Sequence, residues 1–291
     1  MSAATSLTWG GCSVPGDRGV PAVAVSLTGP TAARARVQAR RAIGAGADVL
    51  ELRVDLLEEA GALAAPDPLD VATAAAQVLE CLRGLGEAIA ADGADADAGA
   101  PVLLTCRTTA EGGRAHLDDA AYGALLRSVL DGLTDWAPER RPAAIDVEVQ
   151  RGCLPQVCTQ AHGLGVDVVA SFHDFETTPA DEALEEVLAR MAREGADLAK
   201  IAVWPTSADD VARLLGVCAR ATAGAGEAAA LGVPVAAMSM GALGAVSRVA
   251  PAFGTALTFA VVPDEQGQAR ASAPGQLPIQ DVRRCLELLR A

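Results

Sequence analysis

The stretch DVVASFHDFETTPADEALEEVLARMAREGADLAKIAVWPTSADDVARLLGVCAR, residues 167–220, decides the fold. Two short apolar runs, Asp167–Phe172 and Leu198–Val203, each precede a segment of helical periodicity, at 181–194 and 207–223. The runs are apolar or β-branched on both faces, as strands covered on both sides must be. Pro179 and Pro205, with Ser, Thr or Asp close behind them, mark the helix starts. The stretch therefore reads strand, helix, strand, helix.

The same pattern extends outward in both directions. Strands are expected at Ala22–Leu27, Asp48–Arg53, Val102–Arg107 and Ala144–Glu148 before it, and at Val233–Met238 and Ala256–Val261 after it. Helical segments at 31–45, 69–92, 118–135, 154–164, 241–250 and 279–290 complete the alternation. Eight strand-then-helix units match the α/β barrel known as the (β/α)8 or TIM barrel in count and size. An open doubly wound sheet is the other arrangement, but no G-x-G-x-x-G follows the first strand. The expectation is one barrel domain over 21–291, preceded by a loosely packed leader at 1–20. The Gly/Ala/Asp run ADGADADAGA at 91–100 reads as a surface insertion without function.

Bulk properties narrow the function. A formal charge of −14 argues against a nucleic-acid partner, because no basic face is available for phosphates. No uninterrupted apolar run reaches the roughly 18 residues of a membrane span. The N-terminus lacks a basic segment followed by an apolar one, so no signal peptide is expected. Seven scattered cysteines without a zinc-type spacing read as reduced thiols, which together point to a cytoplasmic protein. No cofactor and no metal are expected. An anionic substrate would need arginines gathered at one spot against the overall field.

Lysine occurs once, at Lys200, against 22 arginines. An arginine stays charged, whereas a lysine can lose its proton and attack a carbonyl. A strand-borne amine suits a Schiff base, although a salt-bridged or snorkelling residue is the plainer reading. Active sites in barrels gather at the C-terminal ends of the strands. Ser26, Glu51, Arg53, Asp55, Arg107, Glu111, Glu148, His173, Lys200, the run 240–248 and the run 272–276 all fall there. Taken singly, Glu51–Arg53–Asp55 reads equally as a salt-bridged interior, Gly-rich 241–244 as a phosphate cradle, and His173 as a core histidine. Apolar strands that end repeatedly in charged groups are hard to explain as packing.

These segments resemble the type I 3-dehydroquinate dehydratase family. The residues that carry the resemblance are VSL (25–27), ELRVD (51–55), TCRTTAEGG (105–113), SFHDFETTP (171–179), DLAKIAVWP (197–205), MSMGALGAVSR (238–248), FGTALTF (253–259) and ASAPGQ (271–276). They lie in order from the first strand to the last helix. The resemblance implies dehydration of 3-dehydroquinate to 3-dehydroshikimate, a step of the shikimate pathway to aromatic amino acids, through an imine on Lys200. It implies His173 as general acid and base, and Glu111 as the carboxylate that holds the imidazole. Arg248 matches the binder of the substrate carboxylate, for which a planar guanidinium is suited. Glu51, Arg53 and Arg107 match groups that bind ring hydroxyls and order the site. Ser26 matches a polar contact, and Ser272 and Gln276 match a closing loop. Arg53, Arg107 and Arg248 would then converge on one anion. Dimers are common in that family, so a homodimer is the assembly the resemblance implies. Thr255 and Cys106 depart from the family's usual residues without removing a group the chemistry needs. A class I aldolase on the same barrel, or a barrel that only binds the ligand, are the rival readings.

Overall fold

The computed structural model describes residues 6–64, 70–90, 100–223, 230–264 and 266–289. A hairpin of β1 (Leu7–Trp9) and β2 (Cys12–Val14) comes first. The parallel strands that follow are β3 (Ala22–Leu27), β4 (Val49–Arg53), β5 (Val102–Thr105), β6 (Ala144–Glu148), β7 (Asp167–Asp174), β8 (Leu198–Val203), β9 (Val235–Ser239) and β10 (Leu257–Val261). Helices α1 (Ala32–Gly44), α2 (Val71–Ala90), α3 (Asp119–Gly132), α4 (Leu154–His162), α5 (Asp181–Arg193) and α6 (Ala208–Ala223) lie between them. The short β11 (Leu277–Pro278) and α7 (Ile279–Leu289) end the described chain.

The sheet curls until its last long strand meets its first. β10 pairs with β3, and the order then runs from β3 in sequence to β9. That adjacency separates a barrel from an open doubly wound sheet. The other edge of β10 closes on β9 through a bridge between Val235 and Thr255, where Ala256 N–H donates to the Val235 carbonyl at 2.7 Å. Farther along that edge, β11 pairs with Ala260 and Val261. The segment just before β11 is thereby delivered to the mouth of the barrel.

Alternation along the strands sorts residues into two cores, because successive side chains point to opposite faces. Val23, Val25, Leu50, Leu52, Ile145, Val147, Ile201 and Val203 face outward and pack under the helices. Ala22, Ala24, Val49, Leu103, Ala144, Val169 and Leu198 face inward and fill the N-terminal half of the barrel. Two residues farther along the same inward rows stand Ser26, Glu51, Asp146, Ser171 and Lys200, all buried. One face of each strand is thus apolar at its start and polar at its end.

Three features differ from the sequence reading. Residues 7–14 are a hairpin rather than a loose leader, and buried Trp9 and Val14 plug the N-terminal end of the barrel. The indole N–H of Trp9 donates to Asp167 at 2.8 Å. Positive φ at Gly10 and Gly11 makes the tight two-residue turn. The expected helix at 241–250 is a pair of 3-10 turns, Ala245–Val249 and Pro251–Phe253. Gly241 takes a φ of +70°, and any Cβ at Gly244 would lie 2.4 Å from Ser239, so the chain doubles back sharply here. β7 runs two residues past its expected end and carries His173 within the ladder. All of 91–100 except Ala100 lies outside the described residues. No helix among the described residues is long and apolar enough to cross a membrane.

Candidate active site

The C-terminal mouth of the barrel holds a cleft of about 480 Å³, counting the solvent space at its opening. Glu51, Arg53, Arg107, Glu111, His173, Lys200, Arg248, Ser272 and Gln276 all line it. Of the ten site residues expected from sequence, only Ser26 is set back. Its hydroxyl donates to Glu51 and accepts from the Ser272 hydroxyl at 2.8 Å. His116 and His162 are exposed outside this cavity, His162 pairing with Asp197.

Register places Lys200 opposite Ser171, and Ser171 opposite Glu148. The Lys200 ammonium nitrogen lies 3.4 Å from Asp146 Oδ2, 4.0 Å from Glu51 Oε1 and 4.6 Å from the centre of the Phe259 ring. The amine is paired, as a buried cation must be. It also borders open space, which a purely structural lysine does not need.

One strand over, His173 Nδ1 lies 2.7 Å from Glu111 Oε2. Holding Nδ1 leaves Nε2 as the ring nitrogen free to exchange a proton. Burial, together with the charges of Arg107, Lys200 and Arg53, drives the imidazole pKa well below its usual value. It is therefore neutral, the form a base requires. Burial also pushes Glu111 up to about 8; Arg107 opposes the rise, while Glu148 and Asp146 add to it. Phe175 stacks near the imidazole with ring centres 6.5 Å apart.

The three arginines do not share one task. Arg53 forks both oxygens of Asp55 at 2.8 Å. Arg107 is bound by Asp146 at 2.7 Å, Glu148 at 3.1 Å and Glu111 at 3.3 Å, and it donates to Ser171. Their convergence on an anion is not what the geometry shows, because neighbouring carboxylates already neutralise both. Arg248 is different. It is 1 % exposed, no carboxylate among the described residues pairs with it, and its Nε has no hydrogen-bond partner. Desolvation lowers its pKa to about 10. A buried guanidinium left in this state is preorganised for an incoming anion.

The segment 272–276 lies across the mouth. Gln276 and Ser272 bond each other, and the Pro274 carbonyl accepts from Gly241 N–H at 3.1 Å and from Arg248 Nη2 at 3.0 Å. Gly275 takes a φ of +80°, and a Cβ there would lie 2.3 Å from the Gly241 carbonyl oxygen. Ala202, Met238, Met240 and Phe259 form an apolar wall on one side of the cavity. A ligand here meets an amine, an imidazole and an unneutralised guanidinium around an apolar surface.

Sequence reading passed over Asp146, Ser171 and the apolar wall. Asp146 and Glu148 alternate on β6, the same inward signature that singled out Glu51 and Arg53 on β4. That signal was available for Asp146. The wall carried none, since methionine in a strand reads as core.

Comparison with known proteins places the chain in a family. The family profile described as Type I 3-dehydroquinase matches residues 23–291. The chain is 36 % identical over 277 residues to the 3-dehydroquinate dehydratase of Klebsiella pneumoniae, covering 94 % of this chain and 95 % of that one. A crystal structure of 3-dehydroquinate dehydratase from Geobacillus kaustophilus superposes with a TM-score of 0.79 at 28 % identity, covering 100 % and 98 %. A type I 3-dehydroquinate dehydratase from Clostridium difficile with covalent modified comenic acid superposes at 0.78 and 28 % identity, covering 98 % of each chain. The chain belongs to the type I 3-dehydroquinase family.

Proposed function

We propose that this protein eliminates water from 3-dehydroquinate to give 3-dehydroshikimate, through a Schiff base on Lys200 with His173 as acid and base. The observation that carries the reading is the meeting of Lys200, His173 and Arg248 in one cavity. An amine, a neutral base and an unneutralised guanidinium suit a ketone, an adjacent C–H and a carboxylate on one small ring.

The Lys200 amine adds to the C3 ketone, and loss of the carbonyl oxygen as water leaves a protonated imine. The imine withdraws electrons from C2, and His173 Nε2 takes the C2 proton to leave a neutral enamine. Glu111, fixed on Nδ1, balances the imidazolium charge. The imidazolium then gives that proton to the C1 hydroxyl, which departs as water while the enamine electrons form the C1–C2 double bond. Water hydrolyses the product imine and frees Lys200. Arg248 holds the carboxylate, Ser272 and Gln276 cover the ring, and Arg107 and Arg53 fix the surrounding carboxylates.

Borohydride reduction with 3-dehydroquinate present, followed by peptide mass spectrometry, tests this reading. With one lysine in the chain, the adduct has a single side-chain site. The expected result is an adduct on the Lys200 peptide, absent from Lys200→Ala. Folded wild-type protein that forms no adduct, or a Lys200→Ala protein of undiminished activity, would overturn it.

A further inference from the structure

We infer that Asp146 is the positioning residue of Lys200. Its carboxylate is a standing counter-charge, first for the ammonium and then for the protonated imine, and Arg107 ties it to the Glu111–His173 pair. The inference rests on the Schiff-base reading above.

The carboxylate is fixed from one side and open on the other. Asp146 is fully buried, and its Oδ1 accepts from Arg107 Nη2 and from the Ser171 hydroxyl, both at 2.7 Å. Those two donors fix the plane of the group and aim Oδ2 at Lys200 Nζ, 3.4 Å away. Glu51 is the second carboxylate at the amine, but it lies farther off, at 4.0 Å, and its two oxygens accept from Thr105 and Ser26. Glu148 is committed elsewhere, accepting from Thr108, Arg107 and Arg151. Glu111 holds His173. Burial opposes ionisation of Asp146, but Arg107, Lys200 and the donated hydrogen bonds outweigh it and keep the group an anion.

A fixed anion suits the charge balance at the nitrogen. An ammonium and a ketone give a protonated imine and water, so the three N–H hydrogens become one N–H and two on water. The nitrogen begins and ends with one positive charge, and Asp146 balances both states without taking a proton. A neutral imine is a poor electron sink, so an adjacent anion keeps the productive form. Arg107 touches Asp146 on one guanidinium nitrogen and Glu111 on the other. The nucleophile and the proton carrier therefore share one clamp.

The test reads the lysine directly. Protein labelled with ¹³C,¹⁵N-lysine gives one side-chain signal, because the chain has one lysine. In Asp146→Asn, without substrate, the ¹³Cε signal at fixed neutral-to-alkaline pH is expected to move toward the neutral-amine position. An unmoved signal overturns the assignment. With 3-dehydroquinate, the pH above which borohydride trapping is lost should fall by about one unit or more, a tenfold change in proton affinity. Turnover should fall at least about 100-fold with KM within about 3-fold, since Asp146 acts on Nζ and not on the ring substituents. A change confined to KM, or an unshifted trapping profile, defeats the imine half. Ser171→Ala removes one of the two anchors and should move both readouts in the same direction by less, which keeps the test alive if Asp146→Asn does not fold. Wild-type protein that forms no adduct defeats the Schiff-base reading and the imine half with it. The ammonium half is still decided by the lysine signal alone.

Discussion

Replacing Arg248 by methionine should make the empty protein more stable and the enzyme much worse. The guanidinium is buried, unpaired by any described carboxylate, and desolvation lowers its pKa from the ordinary guanidinium value to about 10. A depressed cation pKa means that the unfolded chain holds the proton more tightly than the fold does. The penalty is therefore fully present at every pH below about 10, including neutrality. That drop in pKa corresponds to about 3 kcal/mol at about 1.36 kcal/mol for each tenfold change in proton affinity. The variant also loses the Nη2 hydrogen bond to the Pro274 carbonyl, worth about 1 kcal/mol. The net is about 2 kcal/mol of added stability, which raises Tm by about 3 °C in a chain of this size. Binding moves the other way. Removing one partner of a buried charge pair costs about 3–5 kcal/mol, so kcat/KM should drop about a hundred- to a few thousand-fold. Thermal unfolding with and without 3-dehydroshikimate, alongside steady-state kinetics, measures both effects. A lower Tm for the empty variant, or kcat/KM within about threefold of wild type, refutes the reasoning.

The pH–rate profile of kcat/KM should rise through about pH 8. A proton on Glu111 would be donated to Nδ1 and leave the ring's own hydrogen on Nε2, so the free base requires Glu111 ionised. Glu111→Gln should flatten that limb and slow turnover about 100-fold; an unchanged limb would assign it to another group. Trp9→Ala should cost about 3–5 kcal/mol of stability through loss of a buried indole, yet leave kcat/KM at 25 °C within about twofold, because the hairpin plugs the end opposite the site. Denaturant unfolding paired with kinetics checks this, and a large rate loss in folded protein would contradict it. Gly112→Ala should both destabilise and slow the enzyme, since φ is +77° there and a Cβ would sit 2.4 Å from the Phe175 ring beside His173. At least a tenfold loss of kcat/KM is expected from displacement of that ring pair, and full activity would show that Phe175 does not position His173.

The division between sequence and tertiary structure follows the range of the interactions involved. The alternation of strand and helix, the inward rows and the charged strand ends are local patterns of period 2 and 3.6. They placed Lys200, His173, Glu111 and Arg248 at one mouth before any contact was known. The hairpin was not read from the sequence, because its strands are three residues each, too short for periodicity to show. What most of the charges do at that mouth was not local. Arg107 on the β5 side meets Asp146 and Glu148 on β6 and Ser171 on β7 only because closure and register bring those rows together. The Arg53–Asp55 pair is local, two residues apart, but only the closed barrel shows Arg248 buried with no carboxylate among the described residues to pair with it. Sequence by itself determined the barrel and the chemical groups at its mouth. Apart from local pairs such as Arg53–Asp55, tertiary structure decided which are neutralised and which stay open to a ligand, because the remaining charges meet across neighbouring strands and not along the chain.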